Sequence, residues 1–172
     1  MKKAINFFIG GSLMILVTWA MFACNPQKTT NSTETDKAAI REWNDKGLTM
    51  GKGLNKENAE TFVRFMYTEE VIVFPPNAKS IKGIEALIGF YQNYPPMSDF
   101  NHEIKEIEVF GEYAYLWLNW SIPVKLPKLD PYVDSGIIFV ILRKQSNGNW
   151  KIWRELWNSD IPIPVNASTP NP

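Results

Sequence analysis

The strongest constraint on this chain lies near its end. Gly136-Ile-Ile-Phe-Val-Ile-Leu-Arg-Lys144 is followed by Gln145-Ser-Asn-Gly-Asn149 and then by Trp150-Lys-Ile-Trp-Arg-Glu-Leu-Trp157. Two runs rich in β-branched and aromatic residues, joined by a short segment containing Asn-Gly, predict an antiparallel hairpin. Period-two alternation puts Trp150, Ile152, Arg154 and Leu156 on one face of the second run, and Trp153 and Trp157 on the other. A strand with one solvated face alternates apolar and polar residues. This one is apolar on both, so it is expected near the middle of a curved sheet with helices packed over one side.

The helices are expected upstream. Ala39, Ile40, Trp43, Gly47, Met50 and Leu54 form one stripe at helical spacing from Asp36 onward. Gly47, Gly51 and Gly53 predict fraying or a break in its second half. Asn55 is a candidate cap for a second helix over residues 56–67, with Ala59, Phe62, Val63 and Met66 inward. A short strand over 70–74 stops at Pro75-Pro76, and a third helix over 83–91 turns Ile84, Leu87, Ile88 and Tyr91 inward. In the strand over 100–110, Phe100, His102 and Ile104 share a parity that Ile107 and Val109 break. That break predicts a β-bulge near Lys105-Glu106. Gly111-Glu112 turns the chain into a strand over 113–122, and residues 123–134 form a long connection to the hairpin.

Both ends differ from this folded stretch. Lys2 and Lys3 precede a mostly apolar run over 4–22, and small Ala23 precedes Cys24, the pattern of an export signal over 1–23. An uncleaved anchor is the alternative, since about 19 apolar residues nearly span a bilayer. Met21-Phe-Ala-Cys24 resembles a bacterial lipobox with Met in place of the usual Leu. That resemblance implies lipidation of Cys24 and attachment to the bacterial cell envelope. Two or three acyl chains, at about 0.8 kcal/mol per buried methylene, hold durably. Residues 24–35 then comprise the lipidated cysteine and a disordered tether, polar and rich in Thr and Asn, and 162–172 a tail with four prolines. The single cysteine permits no internal disulfide. Net charge is zero, and no basic block is interleaved with aromatics, so nucleic acid is not an expected partner. The folded part, 36–161, is long enough to bury a core unaided.

Helix, helix, short strand, short helix and four-strand meander resembles the order of the ketosteroid isomerase-like, or nuclear transport factor 2-like, superfamily. Tyr67-Thr-Glu-Glu-Val-Ile-Val-Phe-Pro-Pro76 with Lys82-Gly-Ile-Glu-Ala-Leu87 looks like its helix–strand–loop segment. Val109-Phe-Gly-Glu-Tyr-Ala114 looks like its central turn, and Asn147-Gly-Asn-Trp-Lys-Ile152 its last strand. Within the superfamily the chain is most similar to SnoaL-like secreted members. The resemblance implies an α+β, cone-shaped half-barrel of cystatin-like architecture: a curved mixed or antiparallel sheet wraps N-terminal helices and leaves an apolar pocket. It also implies homodimers formed through the outer face of the sheet, which Trp153 and Trp157 would suit. The isomerases of this superfamily use an Asp base, with a Tyr and a second, protonated Asp forming the oxyanion hole. Matched to that pattern, the base falls at Pro75, which takes no proton, and the isomerase mechanism is not expected.

Single residues then carry the candidate chemistry. His102, the only histidine, is a candidate acid–base group if it faces the pocket, with a structural, hydrogen-bonded histidine as the alternative. Arg154 is a candidate ligand for a carboxylate, against a structural ion pair. Phe74, Tyr91, Tyr115, Trp117 and Trp120 supply aromatic wall, with Phe74, Tyr91, His102, Trp120 and Arg154 the ligand-binding candidates. One histidine beside one lipidated cysteine predicts no metal site and no metal cofactor. No P-loop, nucleophile elbow or dinucleotide glycine pattern calls for any other. Three readings stay open: a lipoprotein binding a small apolar or amphipathic ligand, a small-molecule enzyme using His102, and a protein-interaction module.

Overall fold

The computed structural model describes residues 26–93, 99–124 and 131–161. The lipobox, Cys24 and the proline-rich tail lie outside the described residues. A long helix α1 (Pro26–Lys52) is followed by α2 (Ala59–Met66), β1 (Tyr67–Phe74), a two-residue β2 (Ile81–Lys82) and α3 (Ile84–Gln92). The meander β3 (Asn101–Phe110), β4 (Tyr113–Val124), β5 (Tyr132–Lys144) and β6 (Trp150–Trp157) completes the fold. The sheet runs β2-β1-β6-β5-β4-β3, with β1 parallel to β6 and every other pair antiparallel. It is a curved, open mixed sheet with the helices on one face, an α+β cone. The hairpin strands β5 and β6 occupy its centre, as their two-sided apolar character predicts.

The turn between them is set by Gly148, at φ 84°, and closed by Gly148 N–H donating to Gln145 O at 2.8 Å. On the inner face Trp150, Ile152, Val140, Leu142, Leu116 and Ala114 are buried against Ile40, Val63 and Leu87 of the helices. Burying one of the larger of these side chains contributes about 2–3 kcal/mol. Sequence-based expectation and structure agree at α3, whose four predicted inward residues are all buried. They also agree at β3, whose register shifts between Ile104 and Glu106.

Three expectations are corrected. Helix α1 begins at Pro26 rather than Asp36, so residues 26–35 are helical rather than a disordered tether. Ion pairs Lys144–Asp36 (2.7 Å) and Lys37–Glu108 (3.0 Å) pin this helix to the sheet. It also runs unbroken through Gly47 to Lys52, because Gly47 packs directly under Met66 of α2, and that contact offsets the weak helix propensity of glycine. Helix α2 is shorter than expected. Asn55 Oδ1 accepts from the N–H groups of Glu57 and Asn58, making a turn, and Tyr67 already belongs to β1.

Candidate functional site

Between the inner face of the sheet and the three helices lies a cavity of about 140 Å³. Close-packed interiors leave few voids larger than a water. This one is similar in size to the ~150 Å³ apolar cavity that admits benzene. Its room comes from sequence: Gly47 and Gly51, one turn apart on α1, both face it. Phe62, Leu116, Leu118, Ile138, Val140 and Ile152 give it an apolar wall.

Polar groups enter at two places. At the first, Tyr67 (3 % exposed), Tyr91 (9 %) and Glu155 (6 %) meet on β1, α3 and β6. The Tyr67 and Tyr91 hydroxyls are hydrogen-bonded at 3.1 Å, and the Tyr67 hydroxyl lies beside the Glu155 carboxyl. Burial pushes the Glu155 carboxyl up to about 7, with the Tyr67 hydrogen bond opposing the rise. Burial, and then the charge of Glu155, push the Tyr67 phenol well above its ordinary value. At the second place, Asn44 Nδ2 lies 2.7 Å from His102 Nε2. Burial holds His102 below its ordinary value; Asp45 opposes that and Lys52 adds to it. The ring is therefore neutral near pH 7, and one of its nitrogens is engaged by Asn44.

Of the residues picked out from sequence, Tyr91, His102 and Trp120 line the cavity. His102 pairs across β3–β4 with Trp120, and Phe100 stacks on Trp120 at 6.3 Å. Trp120 is fixed by its indole N–H donating to Asn158 O at 3.1 Å. Phe74 does not line the cavity: it is 48 % exposed on the opposite face, in register with Leu156. Arg154 is also on that outer face, its guanidinium 3.8 Å above the Trp153 ring and donating to Glu70 O at 3.2 Å. Tyr115 and Trp117 face outward too, both donating to Glu106.

A bulge accounts for Arg154. Ile141 pairs with Arg154 but Leu142 with Ile152, so Trp153 is an extra residue and the parity of β6 reverses after it. The reversal turns Glu155 and Trp157 inward and Arg154 and Leu156 outward. Period-two counting therefore misses Glu155 and places Trp157 on the wrong face. It misses Tyr67 because that residue reads as the end of a helix, and Asn44 because the α1 stripe is counted on apolar residues alone. The parity break that reveals the β3 bulge has a counterpart in Trp150, Ile152 and Trp157, and that spacing is the one local signal of the reversal.

No family model and no curated protein matches the chain. Solved structures do. A ketosteroid isomerase-like protein from Erwinia carotovora atroseptica SCRI1043 aligns with TM-score 0.62 and 18 % identity, covering 73 % of this chain and 96 % of that one. A nuclear transport factor 2-like superfamily protein from Salmonella enterica serovar Typhimurium LT2 gives 0.60 and 16 %, covering 79 % and 99 %. The CaMKII hub of S. rosetta gives 0.57 and 17 %, covering 71 % and 95 %. At these identities the likeness is one of fold: the chain has the ketosteroid isomerase-like, nuclear transport factor 2-like cone.

Proposed function

We propose that this ketosteroid isomerase-like domain is a lipid-tethered binding module that holds one small apolar or amphipathic molecule between its helices and sheet. The observation that carries this reading is the cavity of about 140 Å³ with an apolar wall and few polar groups. Pockets that bind small molecules are built this way, with a few placed polar groups to orient the ligand. Loss of the isomerase base also favours binding, since Pro75 stands at the matched position and takes no proton. Native mass spectrometry of the soluble domain purified from its own host tests this. A retained small molecule is expected. An empty mass, together with no thermal shift across a panel of apolar ligands, would overturn the reading.

The tether rests on Met21-Phe-Ala-Cys24 and the apolar run before it. Cys24 is acylated in this proposal, and the protein is exported and held at the bacterial cell envelope. Cys24→Ser should move the protein from the membrane to the soluble fraction. The outer sheet face, with Phe74, Ile137 and Leu156 exposed, supports pairing of two copies into a homodimer.

A second reading, an acid–base enzyme, is favoured by one observation: Glu155 and His102 are titratable and line the same cavity. Should an activity be found, full retention in both His102→Ala and Glu155→Gln would remove that reading.

A further inference from the structure

We infer that the buried cluster of Glu155, Tyr67 and Tyr91 is a binding site for an amine carried on a small apolar body. This rests on the cavity being a ligand pocket and adds the chemical class of the ligand.

The three polar side chains of the cluster meet at one end of the cavity. The Tyr67 hydroxyl lies beside Glu155 and opposes the rise that burial gives its carboxyl, so it favours the anionic carboxylate. A carboxylate has about four lone-pair sites, more than the single hydroxyl beside it can fill. What the cluster presents to the cavity is thus acceptor capacity and negative charge. Buried acids are normally paired with a cation, yet among the described residues no Lys or Arg lines this cavity. Arg154, the neighbour in sequence that could have served, is turned to the outer face by the Trp153 bulge.

The wall beside the carboxylate is aromatic. Phe62, Tyr67 and Tyr91 pack mutually, with ring centroids 5.5–6.4 Å apart. Aromatic faces within about 6 Å attract an ammonium group. An amine leaving water would find a carboxylate whose own desolvation was already met on folding, and rings that further offset its lost hydration. A cavity of about 140 Å³ limits the apolar body to one ring, on the order of six to eight carbons.

The test is isothermal titration calorimetry of the soluble domain with cyclohexylmethylamine and with its neutral isostere cyclohexylmethanol, at pH 8. The amine should bind at least about thirtyfold more tightly, and its affinity should fall about tenfold per pH unit below pH 7 as Glu155 takes up a proton. Glu155→Gln should abolish the preference for the amine. Tyr67→Phe, which keeps the ring, should move the midpoint of the pH profile upward, because it removes the hydrogen bond that favours the carboxylate. Equal affinity for amine and alcohol, or amine binding retained in Glu155→Gln, overturns the inference and leaves the pocket standing. Failure of both ligands to bind at millimolar concentration overturns the inference and counts against the pocket as well.

Discussion

Gly136 has no side chain at the point where the main-chain carbonyl of Asn158 crosses it, and the same oxygen accepts the Trp120 indole N–H. A Cβ on residue 136 would overlap that carbonyl, which is backbone and cannot swing aside as a side-chain end can. Asn158 is held here from both sides: its Oδ1 accepts from Ile137 N at 2.7 Å, and its N–H donates to Ile137 O at 3.1 Å. Gly136→Ala should therefore force the ends of β5 and β6 apart and destabilise the fold by about 1–3 kcal/mol. It should also loosen Trp120 at the cavity wall. Urea unfolding followed by tryptophan fluorescence measures both, and a wild-type midpoint would show that this crossing is not constrained.

The two cavity-facing glycines of α1 should respond differently. At Gly47 a Cβ would lie 2.7 Å from Met66 Cε and still nearer Met66 Sδ, the mobile end of a flexible side chain. Met66 can yield, and the open space beside it is the cavity. Alanine gains about 1 kcal/mol of helix propensity at such a site, so Gly47→Ala should be close to neutral in stability while weakening retention of any cavity ligand. At Gly51 the nearest atom, Phe62 Cε2, is 3.7 Å away, an ordinary contact. Gly51→Ala should stabilise the domain by up to about 1 kcal/mol. Thermal melts of the two variants, free and with ligand, separate these outcomes.

Much of the fold is legible in the sequence because its determinants are local. The hairpin, the inner face of α3 and the β3 bulge each follow from side-chain period within a short stretch of chain. The site is less legible because it depends on where regular counting fails. One extra residue, Trp153, exchanges the roles of Arg154 and Glu155, and no period-two reading of an isolated strand can assign them. Phe74 lies outside for a plainer reason: it alternates with Val71 and Val73, the buried residues at that end of β1. His102 and Trp120 fall where alternation puts them, because β4 alternates without interruption from Ala114 to Trp120, and β3 is in register with it there.

The exchange of faces at the bulge has a direct consequence for Arg154. Its guanidinium stacks on Trp153 and bonds main-chain oxygens of Glu70 and Trp153, all on the outer face. Arg154→Ala should leave ligand binding unchanged and cost no more than about 1 kcal/mol, the value of a partly exposed cation–π contact. A tenfold loss of affinity in this variant would place Arg154 back at the pocket.

One buried and one half-buried titratable group should give stability an opposed pH dependence. Glu155 is raised to about 7 in the folded state from 4.5. The folded chain therefore holds a proton that the unfolded chain has released between those values. Its contribution is fully present below pH 4.5 and is lost as pH rises to about 7, a change on the order of 3 kcal/mol. His102 works the other way. Burial lowers it from 6.5, so its contribution is present above that pH and lost as pH falls through the folded value. Urea unfolding at pH 5 and 7.5 should show Glu155→Gln losing the acid-side gain and His102→Asn losing the acid-side penalty. If both variants follow the wild-type profile, neither group is buried as described.

The outer face yields a prediction about assembly. Phe74 and Leu156 are register partners on adjacent strands, each 48 % exposed, and Ile137 is 42 % exposed on the same face. Their exposure comes from the Trp153 bulge for Leu156 and from plain alternation for Phe74, so two unrelated local features build one apolar patch. Exposed apolar surface of this kind on a sheet is stable in water when a second surface covers it. If a second copy does so, Leu156→Arg should place a charge at the centre of the contact and also repel its symmetry mate. Dissociation to monomers is then expected in sedimentation velocity at micromolar concentration. The cavity lies on the other side of the sheet, so the monomeric variant should keep wild-type ligand binding. A wild-type protein that sediments as a monomer would leave the patch to a different partner.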